Sequence, residues 1–174
     1  MERVYIAVGS NKGDRAGNII GALKHIEKYV VITKISPFLS NLPQEGADGG
    51  FFMNGVIAGK TGLSPEKLFR ILQDVEKKSG RVFPHGRGDE REIDLDIIFY
   101  GGRIIKTKEI RVPHPRYRGR YFVVRPLYDI APDLMDPETK QTVSIIYAEL
   151  QKKCAPVPPL KRGGRGDLEG GETK

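Results

Sequence analysis

An α+β fold with ferredoxin-like layering, a mostly antiparallel sheet with helices packed on it, is what this sequence predicts. Three observations lead there. The spacing of apolar residues switches between the two-residue period of a strand and the period of a helix, in the order βαββαβ over the first hundred residues. The chain has 174 residues, enough for one domain with a proper core. A single cysteine, Cys154, excludes an internal disulfide and cysteine-rich zinc sites, and fits a reducing cytoplasm.

The elements follow in order. Residues 3 to 10, RVYIAVGS, read as a strand that closes in the turn SNKGDR. Asn18 to Val30 carries apolar residues at helical spacing, and Val30 to Leu39 is a second strand ending near Pro37. SNLPQEGADGG, residues 40 to 50, is a turn-rich loop expected to be mobile. Phe51 to Gly59 is a third strand. Ser64 as N-cap and Pro65 at the first helical position start a helix whose apolar face is Leu68, Phe69, Leu72 and Val75, and Gly80 stops it. RVFPHGRGDER, residues 81 to 91, is a second mobile loop. Ile93 to Tyr100 is the fourth strand, and Gly101-Gly102 turns into a short strand at 103 to 107. RVPHPRYRGR is extended and then turning, because a proline disfavours helix in the residue before it. Tyr121 to Tyr128 and Val143 to Lys152 are short helices. A single domain is expected over 1–154, and the Pro/Gly-rich residues 155–174 read as a disordered tail.

Composition narrows the partners. Charged residues make up 29% of the chain, and no apolar run approaches the ~20 residues of a membrane span. The start, MERVYIAVGSNKGD, lacks the cleavage site of a signal peptide, so a cytoplasmic location is expected. The net charge of +7 attracts anions. Arginines crowd between 81 and 91 and between 111 and 125, with no helix-long basic stripe and no aromatic-plus-basic RNA-binding motif. A small anionic ligand is therefore favoured over nucleic acid.

The fourth strand holds an oddity. Asp94 and Asp96 stand among strand formers, and burying an unpartnered carboxylate is expensive. Alternation puts both on one face, with Leu95 and Ile97 on the other. Close carboxylates repel unless a positive charge lies between them, and a divalent cation serves. The plainer reading is a strand with one solvated face. Arg81, Arg87 and Arg91 have the donor fork that suits phosphate oxygens, although such loops are often only solvated surface. Mg²⁺ on two acids with arginines nearby is what phosphoryl transfer from a nucleotide needs. His114, between two prolines, sits in a rigid loop that can aim a donor, or is simply structural. GSNKGDR at 9 to 15 has neither the Walker lysine nor G-x-G-x-x-G spacing and reads as a strand-to-helix turn.

Taken together, YIAVGSN with GDR, FFMNGV, IDLDIIFYG, VPHPR and RYFVVRPLYDIAPD resemble, in order and spacing, the 6-hydroxymethyl-7,8-dihydropterin pyrophosphokinase family of folate biosynthesis. The resemblance runs to about Leu150. It implies transfer of the terminal diphosphate of ATP to the pterin hydroxymethyl group, with release of AMP and two Mg²⁺ ions on the phosphate chain. By position it makes Asp94 and Asp96 the metal-binding and catalytic pair, with Arg81 and Arg91 as catalytic loop arginines. It places the pterin with Asn54 between the rings of Phe52 and Phe122. It assigns Gln73, His114 and Arg120 to the nucleotide, and Glu76 to supporting the site. The chain departs from the family pattern at Arg87-Gly88-Asp89-Glu90-Arg91, where the family often carries a tryptophan, at Phe83 and at Glu109. Less cover and fewer cations imply weaker ATP binding or slower chemistry. Three other readings compete: a Mg²⁺-dependent phosphohydrolase indifferent to Asn54, a binding module without turnover, and a nucleic-acid binder indifferent to Asp94.

Overall fold

The computed structural model describes residues 1–41, 50–80 and 90–154. The expected mobility of the two loops, the disordered tail, and Arg81, Phe83 and Arg87 all fall outside the described residues.

Strand β1 (Glu2–Ser10) is central and alternates as its sequence requires. Val4, Ile6 and Val8 enter one core, while Tyr5 and Ala7 face the other. Helix α1 (Arg15–Ile26) begins three residues before the expected Asn18, because the Asp14 side chain accepts from the Gly17 N–H at 3.0 Å and caps it there. The single strand expected over 30 to 39 is two, β2 (Val31–Ile35) and β3 (Leu39–Asn41). Pro37 has no N–H to give a ladder, and at the break the Ser36 hydroxyl instead accepts from the Val56 N–H at 2.9 Å. Both pieces pair with the long strand β4 (Phe52–Thr61).

Helix α2 (Pro65–Lys78) starts on the predicted cap, Ser64 accepting from the Lys67 N–H at 3.3 Å, and ends before Gly80, whose φ of 105° suits glycine. Strand β5 (Asp94–Tyr100) follows. The strand expected at 103 to 107 shrinks to two residues, β6 (Ile105–Lys106), which pairs only with β7 (Arg111–Val112), outside the main sheet. A 3₁₀ turn (Tyr117–Gly119) leads into α3 (Tyr121–Ile130), and α4 (Val143–Cys154) closes the described chain.

The main sheet runs β2-β4-β1-β5, with β3 beside β4 and every pair antiparallel, the strand order of the expected ferredoxin-like layer. Its two faces bury separate cores. On one, Val4, Ile6, Val8, Leu95 and Ile97 meet Ile19, Ala22 and Ile26 of α1 and Leu68, Leu72 and Val75 of α2. On the other, Tyr5, Val56, Ile98 and Phe99 meet Val123, Val124 and Leu127 of α3 and Ile146, Tyr147 and Leu150 of α4. A bulge aligns the end of β5 with this plan. Tyr5 pairs with Phe99 and Ile6 with Ile97, so Ile98 is an extra residue. Ile98 and Phe99 consequently share the α3/α4 core, and Tyr100 returns to the other. No helix among the described residues is long and apolar enough to cross a membrane.

Candidate active site

The site grows out of the register at one end of the sheet. Gly9 of β1 lies between Asn54 of β4 and Asp94 of β5, and in the next row Ala7 lies between Val56 and Asp96. Paired residues of antiparallel strands share a face, so Asn54, Asp94 and Asp96 all look toward the α3/α4 side. Leu95 and Ile97 are buried in the opposite core, as alternation predicts. The acids are not on a bare solvated face: the start of α3 closes over them. Ala7, Gly9, Asn54, Asp94, Asp96, Arg120, Phe122 and Val123 line a pocket of about 270 Å³, counted with the open space at its mouth.

Each carboxylate faces cations. Arg91 donates from a terminal nitrogen to Asp94 Oδ1 at 2.8 Å. Asp96 Oδ2 lies 3.6 Å from the Arg120 guanidinium and 3.7 Å from His114 Nε2. Burial pushes the His114 imidazole below the ordinary histidine range; Asp96 opposes this, and Arg120 and Arg116 reinforce it. The ring is therefore neutral at neutral pH. Its Nδ1 accepts from the Arg116 N–H at 3.3 Å, which puts the remaining proton on Nε2, facing Asp96. Arg120 is depressed by burial and by Arg116, against the pull of Asp96 and Asp94.

Asn54 is buried, and its amide donates to Asn41 Oδ1 at 2.8 Å. Its oxygen crosses the strand over Gly9, where a Cβ would come within 2.5 Å of Asn54 Oδ1. A side chain there would have to push the Asn54 amide aside. Phe122 lines the pocket with Arg120 over its ring at 5.8 Å. Phe52 is half-buried and shares the face of Asn54 by alternation, although it does not line the pocket.

Two assigned residues sit elsewhere. Gln73 is half-buried on α2, the helix that covers the other face of the sheet, and the pocket does not include it. Three residues further on, Glu76 is 4% exposed, and its Oε1 accepts from the Leu95 N–H at 2.7 Å. It thus holds the strand between the two aspartates from the opposite side, the supporting role expected of it.

The register also brings in residues that sequence reasoning passed over. Asn11 donates its backbone N–H to the Arg91 carbonyl at 3.1 Å and accepts the Arg91 N–H on Oδ1 at 2.6 Å. Beside it Lys12 pairs with Glu92 at 2.8 Å. GSN was legible as a turn, but its grip on a residue 80 positions away has no local signature.

The donor set suits a hard cation. Two carboxylates on adjacent same-face positions can take Mg²⁺, with water and phosphate oxygens filling its shell. Among the described residues no group of three or more His, Cys, Asp or Glu is arranged to hold a metal ion.

The family profile described as 7,8-dihydro-6-hydroxymethylpterin-pyrophosphokinase (HPPK) matches residues 5–132. A 2-amino-4-hydroxy-6-hydroxymethyldihydropteridine pyrophosphokinase of Aquifex aeolicus is 37% identical over 161 residues, 92% of this chain and 95% of that protein. The folic acid synthesis protein of Pneumocystis carinii is 39% identical over 150 residues, 86% of this chain but only 20% of that longer protein. In fold, the wild-type HPPK-DHPS of Plasmodium falciparum, crystallised with pteroate, superposes with a TM-score of 0.70 at 15% identity, over 87% of this chain and 43% of that one. With a profile spanning most of the described domain and a single-length relative matched almost end to end, the chain belongs to the 7,8-dihydro-6-hydroxymethylpterin-pyrophosphokinase family.

Proposed function

We propose that this pocket holds the dihydropterin against Asn54 and Phe122 while the triphosphate of ATP lies across Asp94 and Asp96. The observation behind it is convergence: β4, β1, β5 and the start of α3 each contribute to one pocket. As a member of its family the chain is a transferase, moving diphosphate from ATP to 6-hydroxymethyl-7,8-dihydropterin with release of AMP, a step of folate biosynthesis. The new bond joins the hydroxymethyl oxygen to the β-phosphorus. The bond broken is between that phosphorus and the oxygen that leaves with AMP.

The residues divide the work by chemistry. The Asn54 amide can both donate and accept toward a pterin edge, and Phe122, with Phe52, supplies ring surface for its faces. Asp94 and Asp96 would hold Mg²⁺, two ions being expected with a triphosphate; when bound, the metal neutralises charge on the phosphate chain. Arg91, Arg120 and the Nε2–H of neutral His114 already stand opposite these carboxylates and present donors to phosphate oxygens. Gln73, on the far side of β5, is the weakest member of the nucleotide set.

A product analysis tests the reading. With ATP, Mg²⁺ and 6-hydroxymethyl-7,8-dihydropterin, AMP is expected to form only when the pterin is present. ADP and free phosphate appearing without pterin would make the protein a hydrolase. Pterin bound without turnover would make it a binding module.

A further inference from the structure

Among the described residues, His114 and Arg120 face Asp96 from outside the sheet, His114 in the segment before the 3₁₀ turn and Arg120 at the N-cap of α3. His114 is tied to β5 by its N–H on the Ile98 carbonyl at 3.1 Å, Arg120 caps α3 by accepting from the Val123 and Val124 N–H groups at 2.9 Å, and one residue between them links the two. The Tyr117 N–H donates to the His114 carbonyl at 3.1 Å, and the Arg120 N–H donates to the Tyr117 carbonyl at 3.0 Å. Tyr117 is wholly buried, its ring packed edge-on against Phe99 of β5 with centroids 5.1 Å apart.

The other end of Tyr117 is tied down well away from the pocket. Its hydroxyl donates to Asp136 Oδ2 at 2.6 Å. Asp136 is also wholly buried and is fixed on every side. Arg118 Nε donates to the same oxygen at 2.6 Å, and Oδ1 accepts from the N–H groups of Glu138 at 2.8 Å and Thr139 at 3.3 Å. Its own backbone closes a tight turn, bonding to Gln141 and Lys140. Arg118 and Lys106 both bind Glu138, at 2.9 and 2.7 Å, which extends the anchor to the small β6–β7 hairpin. A solvated turn would need none of this. Burying a carboxylate with four donors around it is costly to arrange, and the result is a rigid post under Tyr117.

We infer that Asp136 is a positioning residue for the phosphate-facing pair His114 and Arg120, acting through the Tyr117 hydroxyl. The claim rests on the ATP reading of the pocket. It separates the two halves of the site: the pterin side hangs on Asn54 of β4 and on Phe122, whose helix is held by its own core residues Val123, Val124 and Leu127, while His114 and Arg120 hang on the post.

Tyr117→Phe is the clean variant, because it keeps the ring on Phe99 and removes one hydrogen bond; Asp136→Asn is the companion. Two measurements are made on each full-length protein. Amide hydrogen exchange without ligand is expected to quicken at Tyr117 and Arg120. In steady-state kinetics, kcat/KM for ATP is expected to fall about tenfold, the loss from a shift of less than the ångström that costs about a hundredfold, while KM for the pterin stays within about twofold. In a His114→Ala, Arg120→Ala double background the Tyr117→Phe change should cost almost nothing more. Unchanged exchange at these amides would overturn the proposal. So would quicker exchange with unaltered ATP kinetics, or a loss shared equally by both substrates, either of which marks Asp136 as structural only. A wild-type protein that makes no AMP from these substrates would overturn the ATP reading instead, and the exchange arm would still decide whether the post holds the segment.

Discussion

At the scale of single residues the pocket depends on one absence and one pair of charges. Gly9 has no side chain, and that lets the Asn54 amide lie across β1. Gly9→Ala should push the amide aside; overpacking of this kind costs about 1–3 kcal/mol, and the expected reading is a pterin KM raised about tenfold in steady-state kinetics. An unchanged KM would mean that Asn54 does not read the pterin. Asp96 faces His114 and Arg120 at once. Asp96→Ala should lower kcat at least about a hundredfold, because the proposed metal ligand is lost and with it several kcal/mol of charge stabilisation. Its circular dichroism should match the wild type, since removing one of two neighbouring carboxylates also relieves repulsion. Asp96 could be named from the sequence by its odd place in a strand. The steric reason for Gly9 could not, because it lies in a cross-strand approach.

Among the elements, β5 is the one whose position matters most. It is an edge strand, paired with β1 on one side, and on the other the Leu95 N–H would be stranded without the Glu76 carboxylate of α2. Glu76→Ala should destabilise the fold by about 1–3 kcal/mol, the cost of a buried donor left unmade, measurable as a lower urea midpoint. Glu76→Gln, which keeps an acceptor, should lose less. Helix starts were the most legible elements: Ser64-Pro65 capped α2 where expected. Strand limits were less so, because the break at Ser36-Pro37 and the bulge at Ile98 depend on partners that no local pattern encodes.

For the whole molecule, the sheet is covered on both faces, and the two coverings do different jobs. Helices α1 and α2 support the strands from behind, while the 3₁₀ turn and α3 close over the site. The contact that pins this second layer to the turn before α4 is charged and therefore titrates. Burial alone would raise the Asp136 carboxyl, but the Tyr117 hydroxyl, the Glu138 N–H and Arg118 outweigh it and hold the group below the ordinary aspartate range. A depressed acid binds protons less readily folded than unfolded, so its contribution is present above the unfolded value near pH 4 and fades as pH falls through the folded one. Asp136→Asn should therefore be less stable than wild type at neutral pH and nearly as stable near pH 2, in urea unfolding at a series of pH values. A gap that stays constant with pH would mean that the carboxylate charge is not what holds the layer.

Taken by itself, the sequence determined the strand and helix order, the shared face of Asp94 and Asp96, the cap of α2 and the family, because each is written in local periodicity or in motifs of adjacent residues. The tertiary structure alone decided which cations meet which carboxylate, that Gln73 lies behind the sheet, that Asn11 grips Arg91, and that Asp136 stands beneath the turn carrying His114 and Arg120. Apart from Arg91 on Asp94, three residues on, those contacts join segments from 18 to 80 residues apart. They arise from strand register and from the packing of helices on two faces, which depend on the whole chain closing at once.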